Sequence, residues 1–344
     1  MSAYDVIGTV SFALTLAFSE YKRNSKQSRK EGKRICVLLV DNGKTWEARS
    51  FFDMFKDRLS FREDFPGDSW FVCKLAHGEP IVSVNDFDAF IISGSRFNVR
   101  DNLSLPWFDP LVHLIRQIAG LEIPPSSPSS DSVPPTSKRL YGACFGHQII
   151  AHALGGQVDY NPGNKFILKA EKLQLNTDTF RALQSSCGVH CDNVINMFER
   201  IQQQQSLSCD GHDNACPSLQ ANPSQCDLPA ESKQPAGLFI ICSHGDCVVR
   251  LPTDCPCTLL ASSESCIHEM YLTGYNGCNI LTTQGHPEFE FEYCVRDRIL
   301  PTVVNITKRY SAEEGAACLR TFDAFDNTSG PNQIARLIAA FLHS

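Results

Sequence analysis

Beyond residue 35 the sequence has no dominant basic cluster, and its 344 residues carry a formal net charge of -7 with 20% charged residues. That balance excludes the electrostatic footprint of a nucleic-acid-binding protein, which needs Lys and Arg gathered on one surface. Nor is there a convincing membrane span. The apolar stretch VIGTVSFALTLAF (6–18) falls short of the roughly 20 residues that cross a bilayer. It also lacks the preceding positive charge of a secretory signal, since Asp5 stands before it and the basic run YKRNSKQSRKEGKR follows it. Residues 1–33 therefore read as an apolar, then basic extension, a surface-docked or poorly ordered helix in preference to a membrane-associated segment or a cleaved signal. What remains as a partner is a small molecule or another protein.

Metal-site spacing is lacking as well. Cysteine is abundant, with sixteen residues, but they are spread from Cys36 to Cys318 through apolar strands of a large chain. A small secreted disulfide scaffold looks different, so a reducing compartment, the cytosol, is expected. Between residues 186 and 236, Cys187, Cys191, Cys209, Cys216 and Cys226 accompany His190 and His212. Only Cys187 and Cys191 have ligand-pair spacing and no second pair matches them, so no metal is expected.

What the sequence does have is 42% apolar residues, enough for a substantial core, arranged as alternating strands and helices. RICVLLVD (34–41) is the continuous apolar run of a strand buried on both faces. TWEARSFFDMFKDRL (45–59) carries Trp46, Phe51, Phe52 and Phe55 at helical spacing. WFVCKLA (70–76) and DAFIISG (88–94) supply further strands. In LPWFDPLVHLIRQIAG (105–120) the stripe Trp107, Leu111, Leu114, Ile115 and Ile118 predicts a helix with Pro106 in its first turn and Gly120 at its end. RLYGACF (139–145) returns as a strand and GHQIIAHAL (146–154) as a helix closed by Gly155 and Gly156. Repeated strand–helix units predict an α/β fold with a doubly wound, mostly parallel sheet flanked by helices. Two stretches, about 122–138 (Pro/Ser-rich) and 186–236, break the rhythm and read as disordered insertions into one domain. The last stretch, PNQIARLIAAFLHS (331–344), has Ile334, Leu337, Ile338 and Phe341 on one stripe.

One cysteine has a context the others lack. In YGACFGHQ, a strand ends in Gly-x-Cys and turns at once into a helix, which holds Cys144 at the carboxyl edge of the sheet in the manner of a nucleophile elbow. Gly142 and Gly146 fit positions where a side chain would crowd that turn. The helix amino terminus favours thiolate over thiol. A buried packing cysteine is the alternative, and a downstream motif weighs against it. NILTTQGHPEFEFE (279–292) reads as a buried strand running into Gly285, His286, Pro287 and Glu288. In an extended trace, residues i and i+2 project to one side, so Glu288 can take the Nδ1 proton of His286 and leave Nε2 for Cys144. The strand FIISGSRFNVRD (90–101) ends at Gly94, and the N–H groups of Gly94 or Ser95 with that of Phe145 are candidates for an oxyanion hole. GLFIICSHGDCVVRLP (237–252) reads as a strand ending in Ser243, His244, Gly245 and Asp246, beside the strand ends where doubly wound folds bind ligands.

The ISGS loop, the GACFGHQ elbow followed by ALGG, the SHGD segment and QGHPEF, in this order, resemble the class I (triad) glutamine amidotransferases over roughly residues 34–310. The wording is most similar to the glutaminase domain of GMP synthetase and to free-standing plant γ-glutamyl peptidases. The resemblance implies a flavodoxin-like amidotransferase domain over 34–310, leaving 311–344 as a carboxyl-terminal helical extension. It implies a catalytic set of Cys144, His286 and Glu288 that cleaves a γ-glutamyl amide through a thioester, without a cofactor. By the same resemblance Gln148, Ser243, Gly245 and Asp246 hold the amino-acid head group. No P-loop or ATP-pyrophosphatase-like glycine loop accompanies these motifs, so the chain lacks acceptor chemistry of its own. A stand-alone hydrolase of glutamine or γ-glutamyl peptides is expected. A glutaminase subunit that feeds ammonia to a separate synthetase partner, and a non-catalytic glutamine sensor, are the alternatives.

Overall fold

The structure is a computed structural model that describes residues 32–46, 48–101, 104–122, 138–176, 238–275, 278–323 and 330–344. Residues 1–31, all but the ends of the insertion at 122–138, and the whole cysteine-bearing stretch 186–236 lie outside the described residues. Among the described residues no helix is long and apolar enough to cross a membrane.

Twelve strands follow in chain order: β1 (Arg34–Leu38), β2 (Ser69–Cys73), β3 (Ala89–Ile92), β4 (Arg139–Ala143), β5 (Gln157–Tyr160), β6 (Ile167–Lys172), β7 (Gln174–Leu175), β8 (Phe239–His244), β9 (Asp246–Arg250), β10 (Thr258–Ser262), β11 (Met270–Thr273) and β12 (Ile280–Thr283). Eight of them form one sheet in the order β2-β1-β3-β4-β12-β11-β10-β7. Its first five strands are parallel and its last three antiparallel, so the sheet is mostly parallel with an antiparallel wing. The parallel part has the 2-1-3-4-5 order of flavodoxin-like sheets, which places ligand sites at the carboxyl ends of the strands.

Both faces of this sheet are covered, and the period-2 alternation of each strand shows how. Ile35, Val37, Ile91 and Tyr141 join a core with the helix Phe51–Leu59 and the carboxyl-terminal helix Gly330–Leu342. Cys36, Leu38, Phe90, Ile92 and Leu140 join the opposite core with the helices Phe108–Ile118 and Phe145–Ala153. A strand that feeds two cores must be apolar throughout, which is why 34–41 reads as an unbroken apolar run.

Three boundaries differ from the sequence reading. The helix expected over 45–59 begins at Phe51, because Ser50 and Asp53 form a reciprocal cap: Ser50 Oγ accepts the Asp53 N–H (3.3 Å) and Asp53 Oδ2 accepts the Ser50 N–H (3.0 Å). Trp46 lies outside that helix and packs its ring against Phe51 and Phe289, each 5.3 Å between centroids. The next helix starts at Phe108 with Pro110 in its first turn, so Pro106 precedes it; Gly120, just past its end, has φ 75°. The SHGD segment ends β8 at His244, as read, but it also opens a second strand at Asp246. Gly245 is a corner between β8, paired with β6, and β9, paired with β5. In the last helix Ile334, Leu337, Ile338 and Phe341 are all buried, and the helix packs on the helix Phe51–Leu59, on β4 and on β8.

Candidate active site

The register of β3, β4 and β12 assembles the site. Ile92 pairs with Gly142 and Gly142 with Thr282, so the loops leaving the three strands emerge side by side. They carry Gly94, Cys144 and His286. The Cys144 N–H donates to Thr283 O at 2.9 Å, which fixes the elbow to the strand that delivers the histidine.

Cys144 has φ 51° and ψ -103°, a backbone state that costs a side-chain-bearing residue energy and recurs where function requires it. The two flanking glycines make the turn sterically feasible. A Cβ on Gly142 would sit 2.7 Å from the carbonyl of Gly146, and one on Gly146 would sit 2.5 Å from the carbonyl of Ile92. The helix Phe145–Ala153 begins immediately, with Gln148 N–H donating to Cys144 O at 3.0 Å. The thiol points at Ser243 O (3.8 Å) and accepts from Gln284 Nε2 (3.7 Å).

His286 is locked by its surroundings. Its N–H donates to Ile241 O at 2.8 Å, its ring stacks on Phe289 at 3.9 Å and 6°, and Nδ1 lies 2.7 Å from Glu288 Oε1. Burial disfavours the charged ring, but Glu288, with Cys144 adding to it, overcomes this and raises its pKa to about 10. A Cβ on Gly94 would come within 2.8 Å of His286 Cε1, so the loop after β3 can approach the ring only as glycine. The structure thus brings Cys144, His286, Glu288 and Gly94 to one point. Phe145 heads the elbow helix. The Ser95 side chain is occupied within its own loop, donating to Val40 O (2.6 Å) and accepting the Phe97 N–H (3.1 Å).

The SHGD corner closes the other side. Gln148 Nε2 donates to Asp246 O (2.8 Å) and to Gln284 Oε1 (3.2 Å), so this side chain ties the elbow helix to the corner. The Asp246 carboxylate accepts from an Arg100 Nη at 3.2 Å, and the Arg100 guanidinium lies 3.5 Å from the centre of the Tyr160 ring. Burial raises the Asp246 pKa while Arg100 opposes the rise. His244 is buried, and that burial lowers its pKa to about 4, so it is neutral; Nδ1 faces Asn161 Oδ1 and Asp246 O, each at 3.1 Å. Among the described residues one set of metal-ligating type converges, Glu171, Cys242 and Glu269, with ligand atoms within 4.8 Å of one another. Its charge is countered by Lys169, whose Nζ is 2.7 Å from Glu171 Oε1.

This geometry coincides with a sequence match. Residues 135–292 match the family glutamine amidotransferase class-I. That stretch is similar to the class I glutamine amidotransferases. Among curated proteins, γ-glutamyl peptidase 3 of Arabidopsis thaliana is 25% identical over 275 residues, covering 78% of this chain and 82% of the peptidase. Among solved structures, a glutamine amidotransferase from Thermotoga maritima matches with a TM-score of 0.53 and 15% identity, over 90% of this chain and 98% of that one. A glutamine amidotransferase from Methylobacillus flagellatus matches with a TM-score of 0.52 and 15% identity, over 91% and 95%. At such identity the structural likeness concerns the fold.

Cys144, Gln148, the SHGD corner, His286 and Glu288 all fall within the matched stretch, whereas Gly94, Ser95 and Arg100 fall before it. Sequence reasoning passed over Gln284, although it belongs to the quoted QGHPEF motif, and over Arg100, Tyr160 and Phe289. For Arg100 no local signal exists, because its partner Asp246 is 146 residues away.

Proposed function

We propose that this chain hydrolyses the γ-glutamyl amide bond of glutamine or of a γ-glutamyl peptide, with Cys144 as nucleophile. The sulfur attacks the γ-carbonyl carbon and a C–S bond forms. The C–N bond then breaks as His286 gives its proton to the departing amine, leaving a thioester. Water, deprotonated by His286, attacks the thioester carbonyl, and glutamate leaves as the thiol re-forms. Glu288 holds the ring through Nδ1 and stabilises its charged form. The N–H groups of Gly94 or Ser95, with that of Phe145, face the oxyanion. Gln148, Ser243, Gly245 and Asp246 line the head-group side, where fixed polar groups suit a zwitterion. The single observation that carries this reading is a strained, positive-φ cysteine at a strand–helix elbow beside a buried His–Glu pair at 2.7 Å. The family match and the γ-glutamyl peptidase relative support the choice of bond. That every described cysteine is a free thiol accords with a cytosolic setting.

The test is glutamate release from glutamine and from γ-glutamyl dipeptides by wild type and by Cys144→Ala. The variant should lose at least about 1,000-fold in kcat, as removal of a nucleophile does elsewhere. Equal release by both proteins, or no release by wild type together with a Cys144 inert to a glutamine-analogue alkylator, refutes the reading. Release by wild type only after a cell extract is added would indicate a partner that switches the site on.

A further inference from the structure

Behind the turn that carries His286 lies a buried acid that the proposed reaction does not use. Glu269 is fully buried just ahead of β11, across from the end of β12. Its Oε1 accepts the Gly285 N–H at 2.7 Å, its Oε2 accepts the Ser263 hydroxyl at 3.0 Å, and its backbone carbonyl accepts the Gln284 N–H at 2.7 Å. One residue therefore holds the two successive amides that lead into His286.

The remaining bonds reach the turn from other sides, and the Gln284 side chain is held by Gln148 and donates to Cys144. His286 N–H goes to Ile241 O on the other side, and the Thr283 hydroxyl donates to Gly285 O at 2.9 Å. The space on the Cβ side of Gly285 is filled by Ile240, whose side-chain atoms would lie 2.7 to 3.0 Å from a Cβ placed there, so the turn packs directly against β8. A buried N–H stripped of its acceptor costs more than the bond itself contributed, and a peptide unit in that position rotates to find another. A rotation at Gly285 moves the backbone of His286, the next residue, and so shifts the ring against Phe289 and Glu288, which hold its other sides.

The same carboxyl is the inner member of the Glu171, Cys242, Glu269 cluster. Burial pushes its pKa up to about 8, so at neutral pH it serves as a neutral acceptor and adds no second full negative charge behind the ring.

We infer that Glu269 is a positioning residue: its carboxyl oxygen fixes the Gly285 amide and so sets His286 against Cys144. This rests on the reading that His286 serves Cys144 in the proposed hydrolysis.

The experiment compares wild type, Glu269→Gln and Glu269→Ala in glutamate release and in alkylation of Cys144 by iodoacetamide from about pH 6 to about pH 9, with folding followed by circular dichroism and thermal unfolding. Glu269→Gln keeps an oxygen for Gly285 and should hold kcat within about threefold of wild type. Glu269→Ala should lose about 100-fold in kcat, the usual effect of a misplacement near 1 Å, with KM within about twofold. Its alkylation should be slow at the acid end and recover towards the wild-type rate at the alkaline end, a change in pH profile that loss of packing alone would not produce. A folded Glu269→Ala with wild-type kcat and profile, or a Glu269→Gln as impaired as it, overturns the inference. If Glu269→Ala does not fold, Glu269→Asp, one methylene short of Gly285, is judged by the same criteria. If wild type releases no glutamate, the hydrolysis reading fails, while the alkylation profiles still decide the role of Glu269.

Discussion

Replacing Glu288 by glutamine removes one charge from a buried pair and leaves the shape of the site almost unchanged. Both side chains are secluded, at 4% exposure for His286 and 0% for Glu288. Glu288 Oε2 has no hydrogen-bond partner among the described residues, so the carboxylate directs its charge at the ring. The rise of the His286 pKa from 6.5 to about 10, achieved against burial, corresponds to about 5 kcal/mol at ~1.4 kcal/mol per unit. Taking the Glu288 share as about half, Glu288→Gln removes about 2–3 kcal/mol of preference for the imidazolium, and kcat/KM at neutral pH should fall on the order of 100-fold. The sign of the stability effect follows from a pKa that rises on folding. Such a group stabilises the fold fully below its unfolded value of 6.5, and the contribution fades as pH climbs to about 10. Urea unfolding should therefore show the largest gap between wild type and Glu288→Gln near pH 6.5, closing towards pH 10. A gap that does not vary with pH, or a kcat/KM within about threefold of wild type, would refute this account of the pair.

Gly94→Ala places a methyl 2.8 Å from His286 Cε1 and 3.3 Å from the Phe51 ring. It should cost about 1–3 kcal/mol in thermal unfolding and about 100-fold in kcat, and an unchanged kcat would show that the loop after β3 yields freely. Asp246→Asn releases Arg100 from its ion pair on the SHGD corner. It should raise KM for γ-glutamyl substrates several-fold while leaving kcat within about threefold, a split read by steady-state kinetics.

How far the site was readable depends on the range over which its parts act. β1, β3, β4 and β12 declare themselves because each must be apolar on both faces, and the Cys144 elbow because its glycines are needed within two residues of it. The His286–Glu288 contact is equally local. β5, β6 and β10 are invisible to that logic, since antiparallel strands can alternate or mix residue types, and β11, though buried throughout, is only four residues long. Residues that act across the fold leave no local trace. Gln284 reaches Cys144 over 140 positions, and Glu269 finds Gly285 only through the pairing of β11 with β12. The start of the helix at Phe51 was legible in principle, because Ser50 and Asp53 have capping-box spacing, but the aromatic periodicity outweighed it in the reading of 45–59.

The helix Gly330–Leu342 has a consequence for how the chain is made. It covers β4, which delivers Cys144, and β8, which carries Ser243. The residues just after it reach back further: His343 stacks on Phe65 at 3.6 Å and bonds Asp68 at 2.8 Å, while Arg139 donates to Ser344 Oγ at 2.9 Å. The part of the sheet face at β4, together with β8, therefore lacks this helix until residues 330–344 have left the ribosome, although β1 emerged some three hundred residues earlier and the helix Phe51–Leu59 covers its own part of that face. During that interval Ile35, Val37, Phe55 and Tyr141 lack their final cover, and a nascent chain in this state is exposed to aggregation and to chaperone capture. The nucleophile elbow at Cys144 is thus translated well ahead of the helix that completes the cover over β4, and it gains that support only once residues 330–344 are in place.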